Sequence, residues 1–378
     1  MVYNGNIKGR MVFQVPETSV DSAARFSSRK ASRSNMYRAI FFEKPDVIPM
    51  CFAVNPACWH HYPQDWLCEQ MERHPLLFPG FKPPRLPYTP EYALCARKDA
   101  PFTDDFGCVW ATTDDGITGT VVGHPLADWA AYDTYRKPDP EHRMGIGPVD
   151  WAEVRAGIER RHAQGEFVMG GLRHGHTFLQ LSDMRGYSNL LFDMADEEPR
   201  LFDLIARLEE FNHAIIRRYI ELGVDMVTFP EDLGMQVGPM LSPAHFRKYI
   251  KPSYQRMMRS ARDAGRPVHM HSDGDIRTLV DDIVDSGVMV INLQDLVNGV
   301  DWIAARFKGK LCVDLDIDRQ HVTCMGTPRQ IDELIHSEVK ALACPDGGLT
   351  MVFGLYPGTP RENVVAVMDV MERYAQWY

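Results

Sequence analysis

"PVHMHSDGDIRTLVDDIVDSGVMVINLQD" (residues 267–295) sets two short apolar runs on either side of a stretch with helical spacing. Side chains on an extended backbone repeat every two residues, so His269, His271 and Asp273 share one face just before Gly274. The second run ends in the polar residues Asn292, Gln294 and Asp295. Strand, helix, strand with a polar carboxyl end is the unit whose repetition decides the fold class.

The same beat continues on both sides. "DMVTFPED" (225–232) precedes this stretch, while "KLCVDLDI" (310–317) and "GLTMVFGL" (348–355) follow it. Further upstream "DVIPMCFAV" (46–54) and "EFVMGGL" (166–172) read as strands, and "LFDLIARLEEFNHAIIRRYIELG" (201–223) as a long amphipathic helix. Ser242-Pro243, Thr327-Pro328 and Thr359-Pro360 each pair a capping residue with proline at the first helical position. One helix is expected to run from Ser242 to Gly265. Parallel strands need crossovers, and crossovers are usually helical. Seven recognisable strands therefore predict a (β/α)8 TIM barrel of the α/β class, a single domain over residues 1–378. The rival is a doubly wound sheet, but no G-x-G-x-x-G turn follows a strand.

Residues 58–150 do not keep the beat. Dense in proline and aromatics, as in "FPGFKPPRLPYTPEY" (78–92), they are expected to form an insertion after the first strand that covers the substrate pocket. Trp59, Phe106 and Trp110 from this segment, with Tyr356, are candidates to stack on a substrate ring, and ordinary packing explains them equally well.

With 378 residues and 45% hydrophobic content the chain can bury a large core. Its net charge of −10 carries no basic block, which argues against nucleic acid. No apolar run approaches the roughly 20 residues of a membrane span. "MVYNGNIKGRMVFQV" (1–15) lacks a leader's apolar core, so a soluble cytoplasmic protein is expected. Eight cysteines without a C-x-x-C pair disfavour a disulfide framework or a Cys-rich zinc site.

In a barrel the functional face is the carboxyl end of the strands, and polar residues gather at those ends: Glu231 and Asp232, His271 and Asp273, Asn292 and Gln294, Asp314 and Asp316. His271 and Asp273 offer a nitrogen and an oxygen ligand on one side, about 7 Å apart along the strand. Glu231 supplies a third, which leaves an open coordination position as in a catalytic zinc centre. The same residues also suit a strand-end hydrogen-bond network with no ion. Arg173, His174 and His176 follow "FVMGGL" and bring a cation or proton donor to that face, or form a solvated loop.

"EDLGMQVGPMLSPAHFRKYIKPSYQRM" (231–257), the 267–294 stretch, "VDLDI" (313–317) and "TPRENV" (359–364) resemble the uroporphyrinogen decarboxylase superfamily over roughly residues 165–378. "DDFGCVW", "HPLADW" and Y-x-x-P-D-P (135–140) are similar to its less studied members. That superfamily's porphyrin decarboxylases open with an R-Q-A-G-R loop for substrate carboxylates, absent from "MVFQVPETSVDSAARFSSRKASRSN" (11–35). Its other branch comprises corrinoid-dependent methyltransferases with zinc on a His-x-Cys pair and a later Cys. "HSDG" sets His271 on the histidine and Asp273 on the first cysteine, while the later cysteine falls near Leu355-Tyr356 and is missing. Oxygen in place of thiolate hardens the site and suits an oxygen substrate.

The resemblance thus implies an O-demethylase methyltransferase: zinc on Glu231, His271 and Asp273, a methoxylated aromatic donor, and a corrinoid on a partner protein. Catalysis would fall to Glu231, Asp232, His271, Arg173 and His174, and substrate contacts to Trp59, Phe106, Trp110, His176, Asn292, Gln294 and Tyr356. His269 is expected to sit deeper, behind the ligands. The alternative is a metal-independent decarboxylase of a small or aromatic acid held by Arg173 and His174, with Asp232 or His271 handling the proton. A third reading is a barrel that only binds a small ligand.

Overall fold

In the computed structural model, which describes residues 29–378, the strands are β1 (Met50–Val54), β2 (Phe102–Thr103), β3 (Val109–Ala111), β4 (Thr120–Gly123), β5 (Met169–Gly171), β6 (Met226–Pro230), β7 (Val268–Ser272), β8 (Val290–Gln294), β9 (Cys312–Asp316) and β10 (Leu349–Leu355). The 1–15 stretch read for a leader, and most of the 11–35 stretch, lie outside the described residues. Seven strands form one sheet in the order β1-β10-β9-β8-β7-β6-β5, with every pairing parallel. All five residues of β6, β7 and β9 are buried, as expected where both sheet faces are covered.

The sheet curls. In a flat seven-stranded sheet the edge strands would lie roughly 29 Å apart, at about 4.8 Å per spacing. Here Met50 and Cys51 of β1 and Met169 of β5 line one cavity together with Met226, His269, Val290, Asp314 and Thr350. Helix Arg29–Phe41 closes this amino-terminal end of the strands, since its Met36 and Ile40 line the same cavity. Buried Asp225, just before β6, fastens that helix: it takes the Arg33 guanidinium, Tyr37 Oη (2.9 Å), His162 Nε2 (3.1 Å) and the Val168 N–H (2.8 Å).

The expected eight-stranded ring is not formed among the described residues. β1 and β5 are the sheet's edges, and residues 55–168 add no parallel strand between them. That length instead builds helices Cys58–His61 and Gln64–Arg73 and the small antiparallel sheet β2-β3-β4.

Helix Pro199–Glu221 buries Leu201, Leu204, Ile205, Leu208, Phe211, Ile215 and Ile216, one apolar stripe at three- and four-residue spacing. Thr327 forms a capping box with Gln330, and Ser242 caps through the His245 N–H. Two helical expectations change. The run from Ser242 divides into Pro243–His245, a π turn Phe246–Ile250 and helix Lys251–Asp263, because Pro252 has no N–H for the helical ladder. Thr359 does not cap helix Arg361–Ala375; its carbonyl accepts from Tyr62 instead. No helix among the described residues is long and apolar enough to cross a membrane.

Candidate active site

Strand register decides which polar residues meet. Pro230 pairs with His271, His271 with Asn292, and Asn292 with Asp314, so these positions lie level across four strands. Period two then puts Asp232, Asp273 and Asp316 one step further toward the carboxyl ends on the same face. Two glycines let the following loops close over the site. A Cβ on Gly274, whose φ is +80°, would stand 2.2 Å from the Gly234 carbonyl carbon, so only glycine permits the β6 and β7 loops to touch.

His271 is fully buried, and its ring is oriented by Asn292. Asn292 Nδ2 donates to the Asp314 carbonyl at 2.7 Å, an acceptor only, which turns Asn292 Oδ1 toward His271 Nδ1. Nδ1 therefore carries the proton. The other nitrogen, Nε2, has no hydrogen-bond partner. It stands 3.3 Å from Asp232 Oδ1 and 3.8 Å from Asp273 Oδ1. Asp232 Oδ1 also meets His174 Nε2 at 3.2 Å and the Asp273 N–H at 3.0 Å. Two trios have ligand atoms within 4.8 Å of one another here: His174, Asp232 and His271, and His271, Asp273 and Asp316.

The second trio already has a cation. Arg319 Nη2 bridges Asp273 Oδ1 (3.0 Å) and Asp316 Oδ2 (2.8 Å), and its guanidinium lies 5.8 Å from the centre of the Tyr356 ring. Burial works against the charged forms throughout, yet the pairing outweighs it at most positions. Burial would lower the His271 pKa, but Asp232 and Asp273 hold it above its ordinary value. His174 and His271 hold Asp232 well below the usual carboxylate range against the opposing effect of burial. Asp316 differs: burial dominates and raises it.

Residues 104–374 match the profile of the uroporphyrinogen decarboxylase (URO-D) family. The chain belongs to the uroporphyrinogen decarboxylase family. Among its URO-D relatives, the uroporphyrinogen decarboxylases of two Thermus thermophilus strains are 29% and 28% identical over 188 residues. The match covers 48% of this chain, which spans about half the length (51%) of these relatives. A methyltransferase from Methanosarcina mazei has a similar fold, with a TM-score of 0.60 over 90% of this chain and 98% of that one, at 14% identity.

Within this URO-D chain, Glu231 does not join His271. It neighbours Asp232 in sequence, so the strand period sends it to the opposite face, toward the surrounding helices. There Oε1 accepts from the N–H groups of Thr177 (2.9 Å) and Leu179 (2.9 Å), and Oε2 accepts from the Tyr254 hydroxyl. Burial pushes its pKa up to about 7. Of the three residues expected to share an ion, Glu231 is thus on the far face, and Asp232 is the carboxylate that faces His271 beside Asp273. His176 is also turned away, buried with Nδ1 on Thr177 Oγ1 (2.6 Å), and burial depresses its pKa to about 3.

Arg173 is committed to protein partners. It reaches Asp104 Oδ2 (3.4 Å), the Gly145 carbonyl (3.3 Å) and Asp183 Oδ2 (3.7 Å). Trp59 packs edge-on against Tyr88, Phe106 against Phe211, and the Trp110 indole N–H donates to Asp104 at 2.9 Å. Trp59 and Trp110 thus pack within the 58–150 segment, while Phe106 and Arg173 join it to the rest of the chain. Gln294 accepts from the Gly274 N–H at 2.9 Å and so fixes the loop after β7. His269 bonds Asp314 Oδ2 at 3.0 Å, one layer below His271. Sequence reasoning missed Arg319 entirely and gave Asp316 no role. The available signals were Asp316's parity with Asp314 and an arginine three residues beyond it.

Proposed function

We propose that this chain is a metal-assisted methyltransferase that takes a methyl group from a methoxylated aromatic compound and passes it to a corrinoid on a partner protein. The observation that carries the metal is His271 Nε2: a buried lone pair without a hydrogen-bond partner, facing the carboxylates of Asp232 and Asp273. The buried carboxylates need a positive charge beside them, and a metal ion on Nε2 supplies it in place of the proton that they otherwise hold on His271. His174, Asp232 and His271 fit that cation, because Asp273 and Asp316 are already shared with Arg319. Two imidazoles and a carboxylate suit a divalent zinc-like ion and leave positions open. A metal held there would act as a Lewis acid on an ether oxygen, and the corrinoid would accept the methyl group.

The chain's own residues do the rest. Asn292 fixes the His271 tautomer so that Nε2 points into the site. Gln294 and the paired glycines hold the loop bearing Asp273 against β6. Three carboxylates face the opening against one arginine that two of them already share, which favours an uncharged ligand over a polycarboxylate. The aromatic donor and the corrinoid partner rest on the superfamily resemblance.

Anaerobic methyl transfer from a panel of methoxylated aromatics to a reduced corrinoid protein, with metal analysis of the purified chain, tests the reading. We expect one divalent ion at this site, lost in His271→Ala and retained in Glu231→Gln, and transfer abolished by chelation. Carbon dioxide release from a carboxylated substrate, insensitive to chelator and independent of corrinoid, would instead establish the decarboxylase.

A further inference from the structure

We propose that His60, His61 and Asp114 form a second divalent transition-metal site, on the surface of the segment between β1 and β5. Helix Cys58–His61 leaves β1 and presents its last two residues side by side, with ring centres 4.6 Å apart. Both rings aim Nε2 at one carboxylate: His60 at Asp114 Oδ1 (3.1 Å) and His61 at Asp114 Oδ2 (2.7 Å). Ligands about 2.1 Å from a common ion stand roughly 3.0 to 3.4 Å apart, so small side-chain rotations bring all three onto one ion. The three ligand atoms lie within 4.8 Å of one another.

Two features set this trio apart from an accidental surface ion pair. Tyr92 Oη meets His60 Nδ1 at 3.2 Å, the kind of outer contact that orients a ligating imidazole and leaves its other nitrogen for the metal. The Asp114 turn is locked onto the helix that carries the histidines. Gly116, with φ +87°, lies so close that a Cβ would stand 2.5 Å from the Ala57 nitrogen, and its N–H bonds the Ala96 carbonyl at 2.8 Å. The ligands are therefore held by backbone packing rather than by long flexible side chains. Their partial exposure leaves further coordination positions to water or an incoming ligand. Two neutral imidazoles and a carboxylate on one side are a donor set for zinc, nickel, cobalt or ferrous iron. The site is separate from the His271 cluster and shares no residue with it.

Equilibrium dialysis of the full chain against Co2+ alone tests the proposal. Asp114→Asn and His61→Ala should each bind one ion fewer than wild type, or bind it roughly tenfold more weakly or worse. Their melting temperatures in chelator should match wild type, since the altered side chains are on the surface. The ion lost in Asp114→Asn should survive in His271→Ala, which separates this site from the metal of the proposed reaction. Wild-type stoichiometry and affinity in both surface variants would overturn the assignment, and so would loss of this same ion in His271→Ala.

Discussion

Asp232 and Glu231 show how one residue of sequence separates two environments. Asp232 faces the open end with His174 and His271, and its carboxyl stays ionised. Glu231 is buried among Thr177, Leu179 and Tyr254, with its pKa pushed up to about 7 by burial. A carboxyl whose folded pKa lies above its unfolded value adds stability that is fully present below the unfolded pKa, here 4.5, and is lost as pH rises through about 7. Urea unfolding of wild type and Glu231→Gln between these pH values should show a relative change on the order of 3 kcal/mol. A difference that does not move with pH would remove Glu231 as the titrating group. Glu231→Ala, which orphans two backbone N–H groups and a tyrosine hydroxyl, should cost on the order of 3 to 5 kcal/mol near pH 4.5 and less as the pH rises through about 7. Arg319→Gln removes the cation between Asp273 and Asp316, and these carboxylates should then draw a divalent ion at His271 Nε2 more tightly, roughly tenfold. Unchanged affinity in equilibrium dialysis would show that Arg319 does not compete with a cation here.

At the level of elements, the loops after β6 and β7 are coupled by a backbone contact. Gly274→Ala meets both the positive φ and the 2.2 Å approach to Gly234, and nothing flexible can move aside. The expected cost is on the order of 3 kcal/mol, measured by denaturant unfolding, together with loss of the ion proposed at His271, because the Asp273 N–H that holds Asp232 lifts away. Gly265→Ala serves as a comparison: its φ is +70° but nothing lies within 4 Å of the added Cβ. It should cost less and leave metal binding intact. Equal effects of the two substitutions would mean that strain in φ alone, not loop contact, sets the cost.

Across the whole molecule, the curled sheet has two differently built ends. The carboxyl end is polar and carries the candidate site; the amino end is sealed by helix Arg29–Phe41, with Ile40 packed among Phe167, Met169, Met226, Val290 and Cys312. Asp225 ties that helix, β6 and the 151–163 helix into one unit. Asp225→Ala leaves a buried N–H and two or more side-chain donors without their acceptor, and should destabilise the chain by on the order of 3 to 5 kcal/mol. Because the two ends are separate, the folded variant should keep the divalent ion proposed at His271. Loss of the ion at temperatures where circular dichroism still reports native structure would contradict that separation.

Strand–helix alternation alone located all seven parallel strands, each within a few residues, because apolar runs and Ser-Pro or Thr-Pro starts are local signals. It also drew attention to the carboxyl face of the sheet, where His271 and Asp273 at β7, Asn292 and Gln294 at β8, and Asp314 and Asp316 at β9 come together. The π turn before Pro252, the lack of an eighth parallel strand among the described residues and the Arg319 bridge were not legible, because each depends on what packs against the element rather than on its own residues. The partnership of His271 with Asp232 instead of Glu231 lies between these cases. Period two was present in the sequence, but the register of β6 against β7, which sets Pro230 level with His271, arises only when the sheet assembles. Sequence by itself determined which residues stand at strand ends. Only the tertiary structure decided which of them meet, because contact across a parallel sheet is set by hydrogen-bond register and by the loops that close over it.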